Sequence, residues 1–139
     1  MANTVYNNFK RLLLSGTLGN TETGTIKLLL TTSSYTFSQT HATTGSITNE
    51  ISSSNYSAGG KKIESISGFT DVLDNQAGLS GNSVVWSGIT ATPYYGILYI
   101  SGATPSSSYL IQKIDFNGTA VSSADFQVNW NAEGLLTIT

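Results

Sequence analysis

The sequence contains no cysteine and only one histidine, His41. Without thiols the chain can form neither a disulfide framework nor a thiolate zinc site. A catalytic triad would have to use His41, but this residue lies in a polar stretch, and the G-x-S-x-G elbow that exposes a nucleophilic serine is missing. We therefore interpret His41 as a loop or interface residue, and we expect no catalytic residue, no cofactor and no metal site.

Charged side chains are also scarce, since Asp, Glu, Lys and Arg make up 10% of the chain, against about 25% in typical domains. Serine and threonine are abundant instead, so the surface must consist largely of hydroxyl, amide and glycine groups. A net charge of −2 disfavours a nucleic-acid partner, which requires a basic patch. A neutral surface is typical of all-β extracellular or virion components, because a protein packed against its own copies needs less charge for solubility.

Long apolar runs are missing as well. The leucines at 12–14 follow Lys10 and Arg11 as in a signal peptide, but the run ends at Ser15 and Gly16. This is too short for the apolar core of a signal peptide. Nothing approaches the roughly 20 apolar residues of a membrane-spanning helix. We expect no targeting segment and no membrane partner.

One glycine-rich motif is a weak signal for nucleotide binding. Gly60 and Lys61 resemble the end of a phosphate-binding loop, but Lys62 stands where a magnesium-binding Ser or Thr is required. The strand-to-helix context is absent too. Gly59 and Gly60 more simply predict a turn with positive φ ahead of a strand.

Two groups of carboxylates could carry chemistry. Asp71, Asp74 and Asn75 offer the hard oxygen ligands that calcium prefers, although a turn is the more ordinary use of these residues. Asp115 and Asp125 could form a glycosidase pair. Each of them lies at a strand end, however, where carboxylates commonly bond to the backbone. We therefore expect structural roles for both groups.

The stretch 84–116 gives the strongest fold signal. Its runs 89–100 and 108–116 are rich in β-branched and aromatic residues and are separated by Gly, Pro and Ser, which predicts a hairpin. In the second run Tyr109, Ile111 and Ile114 are candidate inward positions. Strict alternation would place Lys113 on the same side as Ile111, so a bulge is expected near Gln112.

Other segments predict further strands. Strands are expected at 25–32, 61–67, 69–73 and 83–87, and residues 35–37 are β-prone. Residues 71–81 consist of turn formers and predict a loop. In the segment 83–87, Val85 should face one side and Val84 and Trp86 the other. The C-terminus predicts a hairpin between 126–130 and 135–139, with the last strand tied into the sheet.

The N-terminus predicts a short helix, with a strand as the competing interpretation. The helical spacing is that of Val5, Phe9, Leu12 and Leu13, with Gly16 placed to end the helix. Thr4 would be its N-terminal cap.

About eight short strands with turn signals every 8–12 residues predict an all-β antiparallel β-sandwich, with a jelly roll as one topology that the pattern allows. We expect a single domain over 1–139, with an N-terminal arm or short helix at 1–16. The segment 38–54 is predicted to be a long polar loop, because Ile47 and Ile51 are its only apolar anchors. Loops of this length are usually functional or mobile.

Several segments in succession resemble a group of small virion proteins of tailed bacteriophages. They are IKLLLTTSSYTF (26–37), His41, NYSAGGKKI (55–63), W-x-x-I-T-A (86–91), LIQKIDF (110–116), DFQVNW (125–130) and the terminal G-L-L-T-I. This resemblance covers most of the chain and implies a structural protein of the phage particle. The role it implies is that of a capsid decoration or cement protein, which binds the outer shell and stabilises contacts between major capsid subunits. Such proteins often form trimers, and no catalytic residue belongs to the role.

The expected partners are therefore the major capsid protein and other copies of this chain. The N-terminal segment and the loop 38–54 are the expected contact elements, and deletion of residues 1–10 should weaken attachment without unfolding the domain. Aromatic residues and the single histidine are the expected contact residues: Tyr6, Phe9, His41, Trp86, Tyr94 and Tyr95. The alternative is a tail or fibre component that binds a carbohydrate or receptor, in which Trp86 or the tyrosines stack on sugar rings.

Overall fold

A computed structural model of the chain describes residues 3–18, 20–71, 75–130 and 134–138. Within these ranges there are ten β-strands, one α-helix and two 3-10 helices. The strands are β1 (Asn3–Val5), β2 (Ile26–Thr31), β3 (Lys61–Lys62), β4 (Ser67–Asp71), β5 (Gln76–Ser80), β6 (Val84–Ala91), β7 (Tyr95–Ile100), β8 (Tyr109–Asp115), β9 (Val121–Val128) and β10 (Leu136–Ile138). The helix α1 spans Asn7–Ser15, and the 3-10 helices span Thr44–Ser46 and Pro105–Ser107.

The strands form antiparallel sheets, which confirms the predicted all-β fold. A five-stranded sheet has the order β1-β8-β7-β2-β3, a three-stranded sheet has the order β10-β5-β4, and β6 pairs with β9. Apolar side chains from one face of the five-stranded sheet share a core with side chains from β6, β9 and β10. This layered packing is that of a β-sandwich.

The five-stranded sheet is covered on its other face as well. A second cluster consists of Tyr6, Leu29, Tyr35, Ile97, Tyr99 and Leu110. Strand β2 serves both cores, because Leu28 and Leu30 face the first cluster and Leu29 faces the second. A strand buried on both faces needs apolar residues at consecutive positions. This requirement explains the unbroken leucine run of β2.

The predicted hairpin is confirmed for β7 and β8, which pair from Tyr95 opposite Asp115 to Ile100 opposite Tyr109. The register shifts where Leu98 faces Gln112 and Tyr99 faces Leu110, so the extra residue is Ile111. The predicted bulge near Gln112 is therefore correct. The first run, however, does not continue as one strand, because residues 89–91 belong to β6 and pair with β9.

Four predictions of local structure are wrong. Residues 71–81 contain β5, which lies between β10 and β4. The predicted C-terminal hairpin does not form, since β9 pairs with β6 and β10 with β5. Its turn was predicted at 131–134, of which residues 131–133 lie outside the described residues. Residues 35–37 and 63–66 are not strands. Strand β5 contains glycine and has little apolar periodicity, so its conformation depends on backbone pairing with two neighbours rather than on its composition.

At the N-terminus both competing interpretations are correct, because a strand precedes a helix. Thr4 does not cap the helix, since it lies in β1 opposite Lys113, and Tyr6 is the residue that precedes α1. Gly16 ends the helix as predicted, with φ at 69° and its N–H donated to the Leu13 carbonyl at 3.2 Å. None of the described helices is long and apolar enough to cross a membrane.

The polar segment 38–54 is held more firmly than its composition predicts. The Leu110 N–H donates to the Ala42 carbonyl at 3.0 Å, and the Ile51 N–H donates to the Leu30 carbonyl at 3.0 Å. Ile51 is buried in the first core, and Ile47 packs on the second. The two isoleucines and these backbone hydrogen bonds together attach the segment to the domain.

Candidate functional site

A mostly apolar groove of about 330 Å³ lies between the N-terminal helix and the last strand. We call it the α1–β10 groove. Its lining residues come from β1, α1 and β10 and are Val5, Phe9, Lys10, Leu13, Leu14, Leu136, Thr137 and Ile138. The groove therefore joins an edge of the five-stranded sheet to an edge of the three-stranded sheet.

The large apolar side chains that the fold leaves exposed lie around this groove. Leu14 is 92% exposed, Ile138 is 56% exposed and Leu13 is 36% exposed. In the part of the chain that the structure describes, these are the three exposed large hydrophobic residues, and all of them line this groove. Single exposed apolar residues are ordinary on protein surfaces, but a cluster of them marks an interaction site.

The helical period explains why Leu14 is exposed. Phe9 and Leu12 lie on the inward face of α1 and are 1% and 3% exposed. Residue 14 is five positions after Phe9, which at 100° per residue turns it well away from that face. Leu13 is four positions after Phe9 and lies on the boundary. The core therefore cannot cover Leu14, and only a partner could bury it.

Strand β10 forms the other wall and lies at the end of its sheet. It pairs with β5 on one side, from Leu136 opposite Leu79 to Ile138 opposite Ala77. In the described residues no strand pairs with its other side. Gly78 of β5 permits this arrangement, because a Cβ atom there would lie 2.4 Å from the Leu136 carbonyl oxygen.

Three of the predicted contact residues are core residues. Tyr6, Phe9 and Trp86 are 0%, 1% and 1% exposed. Trp86 shares its face of β6 with Val84, as the alternation predicts, but that face is the core side. These aromatic side chains are thus not available as surface anchors, although the edge of Phe9 contributes to the groove wall.

The other three predicted contact residues are half-buried, and two of them lie around Tyr35. The Tyr35 hydroxyl is 2.9 Å from Nδ1 of His41 and 3.0 Å from the Tyr6 hydroxyl. Tyr95 packs on Tyr35 edge to face, with ring centroids 6.1 Å apart, and Lys113 Nζ lies 4.7 Å from the Tyr95 centroid. His41 and Tyr95 therefore stabilise the cover of the second core.

The two carboxylates of the possible glycosidase pair bond to the backbone. Asp115 accepts the Asn117 N–H at 3.0 Å, and Asp125 accepts the Gly88 N–H at 3.3 Å. Asp74 lies outside the described residues. Among the residues that the structure describes, no group of three or more His, Cys, Asp or Glu could hold a metal ion.

A network around Glu50 was not predicted from the sequence. Glu50 Oε1 accepts the Tyr56 hydroxyl at 2.7 Å and the Gly59 N–H at 2.6 Å. The Tyr99 hydroxyl donates to the Gly59 carbonyl at 2.6 Å, and both Gly59 and Gly60 have positive φ, as predicted. The network fastens the turn at 59–60 to the sheet, which is a structural role.

Because of this network, the free energy of unfolding falls at alkaline pH. Burial, with a contribution from the Glu50 carboxylate, raises the pKa of Tyr99 to about 12 from about 10 in an unfolded chain. Between these values the native state holds a proton that the unfolded state has lost, so the free energy of unfolding falls as pH rises from about 10 to about 12. Burial also raises the pKa of Tyr6 and Tyr56, which adds to the fall.

We expect Tyr99→Phe to lower the free energy of unfolding by about 1 kcal/mol at neutral pH, since the Gly59 carbonyl loses its hydrogen bond. Between pH about 10 and about 12 the variant should lose stability less steeply than the wild type. Urea unfolding over this pH range measures both effects. An equally steep fall in the variant would contradict the assignment of that fall to Tyr99.

Of the groove residues, only Phe9 was predicted individually as a contact residue, although the N-terminal segment as a whole was an expected contact element. The available signal was the third leucine of the run 12–14, which cannot join the Phe9–Leu12–Leu13 stripe of the helix. The contribution of Ile138 could not be found, because it depends on the position of β10 in the sheet.

Comparison of the chain with protein-family models, with curated proteins and with solved structures finds no match.

Proposed function

We propose that this chain is a non-enzymatic structural protein of a bacteriophage particle, namely a capsid decoration protein that binds the outer shell and stabilises contacts between major capsid subunits. The supporting observation is the α1–β10 groove, where Leu14 is 92% and Ile138 is 56% exposed. A groove of this kind suits contact with another protein. The resemblance of the sequence to small phage virion proteins supplies the identity of that partner.

The groove is lined by eight of the described residues, which is few compared with stable protein interfaces, where about 20–30 residues of each partner take part. A decoration protein does not need a large contact in each copy, because trimers attached to a repeating shell bind with the avidity of several sites. The surface rich in Ser, Thr and Asn can add hydrogen bonds around the apolar contact. The proposed partners are thus the major capsid protein and other copies of this chain.

The first test is the location of the chain on intact phage that encode it. Antibody to the chain, detected by immunogold electron microscopy, should label the heads. Labelling restricted to the tail would overturn the decoration role and favour a tail component. If the infected cells contain the chain but the particles stay unlabelled, a virion role would be contradicted.

The second test is a substitution in the groove. Leu14→Glu should weaken attachment to shells that lack the protein by about tenfold or more, which corresponds to about 1.4 kcal/mol. Stability should stay within about 0.5 kcal/mol of the wild type, because the side chain is exposed. Co-sedimentation with shells measures attachment, and urea unfolding measures stability.

Asn7→Glu is the matched control, because it adds the same charge to an exposed position of α1 that does not line the groove. Equal attachment of both variants and the wild type would remove the groove from the interface. A point substitution replaces the deletion of residues 1–10, which would remove β1 and the buried Tyr6 and Phe9. The expectation that this deletion leaves the domain folded is not compatible with their burial.

The alternative function, a carbohydrate-binding component of a tail or fibre, would have to use Tyr94 rather than the buried Trp86. Tyr94 is half-buried and packs edge to face on Tyr95, with ring centroids 4.8 Å apart. Its ring also closes over Gly118, where a Cβ atom would lie 2.7 Å from it. Glycan-array binding that is lost in a folded Tyr94→Ala variant would favour this alternative.

A further inference from the structure

We propose that the partner fills the α1–β10 groove with an extended peptide segment, which adds a strand to the free side of β10. The segment carries apolar side chains at alternate positions and a carboxylate that faces Lys10. This inference rests on the proposed function in that the segment would belong to the shell protein. Its physical basis is independent, because it follows from the strand edge, the apolar wall and the charge of the groove.

The free side of β10 is short, at three residues, but it carries none of the charged or proline residues by which many sheet edges avoid pairing. Edge strands are commonly protected by charged side chains, by proline or by a covering group. Strand β3, which ends the five-stranded sheet, consists of Lys61 and Lys62. At β4, the other end of the three-stranded sheet, the Gly68 N–H is capped by the Glu22 carboxylate. The residues of β10 are Leu, Thr and Ile, so this edge can accept a strand.

The wall opposite β10 determines which side chains the added strand needs. Successive side chains of a strand point to opposite faces, so every second side chain of the segment would face the groove. There it would meet Leu13 and Leu14 of the helix and Val5 of β1. Binding of an extended peptide at a sheet edge combines backbone hydrogen bonds with pockets for alternate side chains. The segment should therefore alternate between apolar and polar residues.

The charge of the groove determines that the segment should carry a carboxylate. Lys10 lines the groove, and Arg11 is exposed beside it on α1. In the described part of the chain no acidic residue lines the groove. A carboxylate on the segment would complement this positive rim. Two copies of the chain joined through the same face would instead bring their Lys10 and Arg11 side chains together, which disfavours a second copy as the occupant.

The test is selection of short random linear peptides, displayed as a library, on the intact protein. Peptides enriched on the wild type should alternate apolar and polar residues and contain Asp or Glu. Their binding should be lost with Leu14→Glu and kept with Asn7→Glu. Lys10→Glu should weaken it by about tenfold.

The pairing of the peptide with β10 as an added strand can be tested separately. In an extended peptide alternate amides face the same edge. N-methylation of the set that faces β10 should abolish binding, and N-methylation of the other set should not. The backbone amides of β10 that do not bond to β5 should gain protection from hydrogen exchange when the peptide is added.

Four outcomes would overturn the inference. They are no enrichment above the Leu14→Glu variant, enrichment of basic or helix-forming peptides, self-association that depends on Leu14 without peptide binding, and binding of anionic lipid vesicles instead of peptides. Labelled phage heads with Leu14-dependent attachment but no enriched peptide would remove this inference and leave the proposed function. Peptide binding without labelled particles would remove the proposed function and leave this inference.

Discussion

Replacement of Gly60 by alanine should destabilise the protein far more than the same replacement at Gly16. The two glycines have nearly the same positive φ, at 74° and 69°. At Gly60 a Cβ atom would lie 1.9 Å from the Leu28 carbonyl oxygen and 2.6 Å from Leu29 Cα. At Gly16 nothing lies within 4 Å of the added atom. The difference in stability between the two variants therefore measures the cost of the clash apart from the cost of a positive φ.

We expect Gly16→Ala to cost about 1–2 kcal/mol, which is the strain of a left-handed conformation for a residue with a Cβ atom. Gly60→Ala should cost more than about 4 kcal/mol, because the backbone of β2 is part of the sheet and cannot move aside. Natural domains have about 5–15 kcal/mol of stability in total, so this variant should be largely unfolded. Urea unfolding followed by circular dichroism measures both values. Similar losses for the two variants would show that β2 yields to residue 60.

Replacement of Trp86 by alanine should have an effect of similar size. The indole is 1% exposed in the first core. It stacks on Tyr56 with centroids 6.1 Å apart and contacts Phe126 with centroids 6.2 Å apart. Truncation of a buried aromatic residue to alanine costs about 3–5 kcal/mol. Urea unfolding measured by circular dichroism should show a loss of this size.

Trp86→Phe is the control, because it keeps a buried ring and should cost clearly less than the alanine variant. Stability of Trp86→Ala within about 0.5 kcal/mol of the wild type would mean that the indole is not a core residue. In that case a stacking platform for sugars at Trp86 would regain support. Binding assays on Trp86→Ala therefore need a stability measurement beside them.

Much of the five-stranded sheet could be predicted, because local pattern and tertiary packing agree there. Strand β2 is a leucine run that suits burial on both faces, and β7 and β8 carry a hairpin signal with turn residues between them. The bulge at Ile111 follows from a conflict of alternation within β8 alone. Gly16 ends the helix because a left-handed residue is needed there.

The candidate site could be predicted only in part. The N-terminal segment was predicted from the sequence as a contact element, and it forms one wall of the groove. Tyr6 and Trp86 were also predicted as contact residues, and both are buried. An aromatic residue can anchor an interface or a core with the same local pattern, because the distinction depends on which face of its element is covered. Leu14 and Ile138, which no aromatic criterion selects, are the exposed residues.

The sequence by itself determined the β-rich class, the hairpin with its bulge, the helix end at Gly16 and the scarcity of charge on the surface. These properties depend on neighbours along the chain, through side-chain alternation, turn formers and composition. Only the tertiary structure decided that β5 is a strand, that the segment 38–54 covers a second core, and that β10 leaves the expected hairpin to pair with β5. Each of these depends on backbone hydrogen bonds between segments distant in sequence, which side-chain patterns do not encode. The α1–β10 groove belongs to the second group, because its two walls come from opposite ends of the chain and meet only in the folded protein.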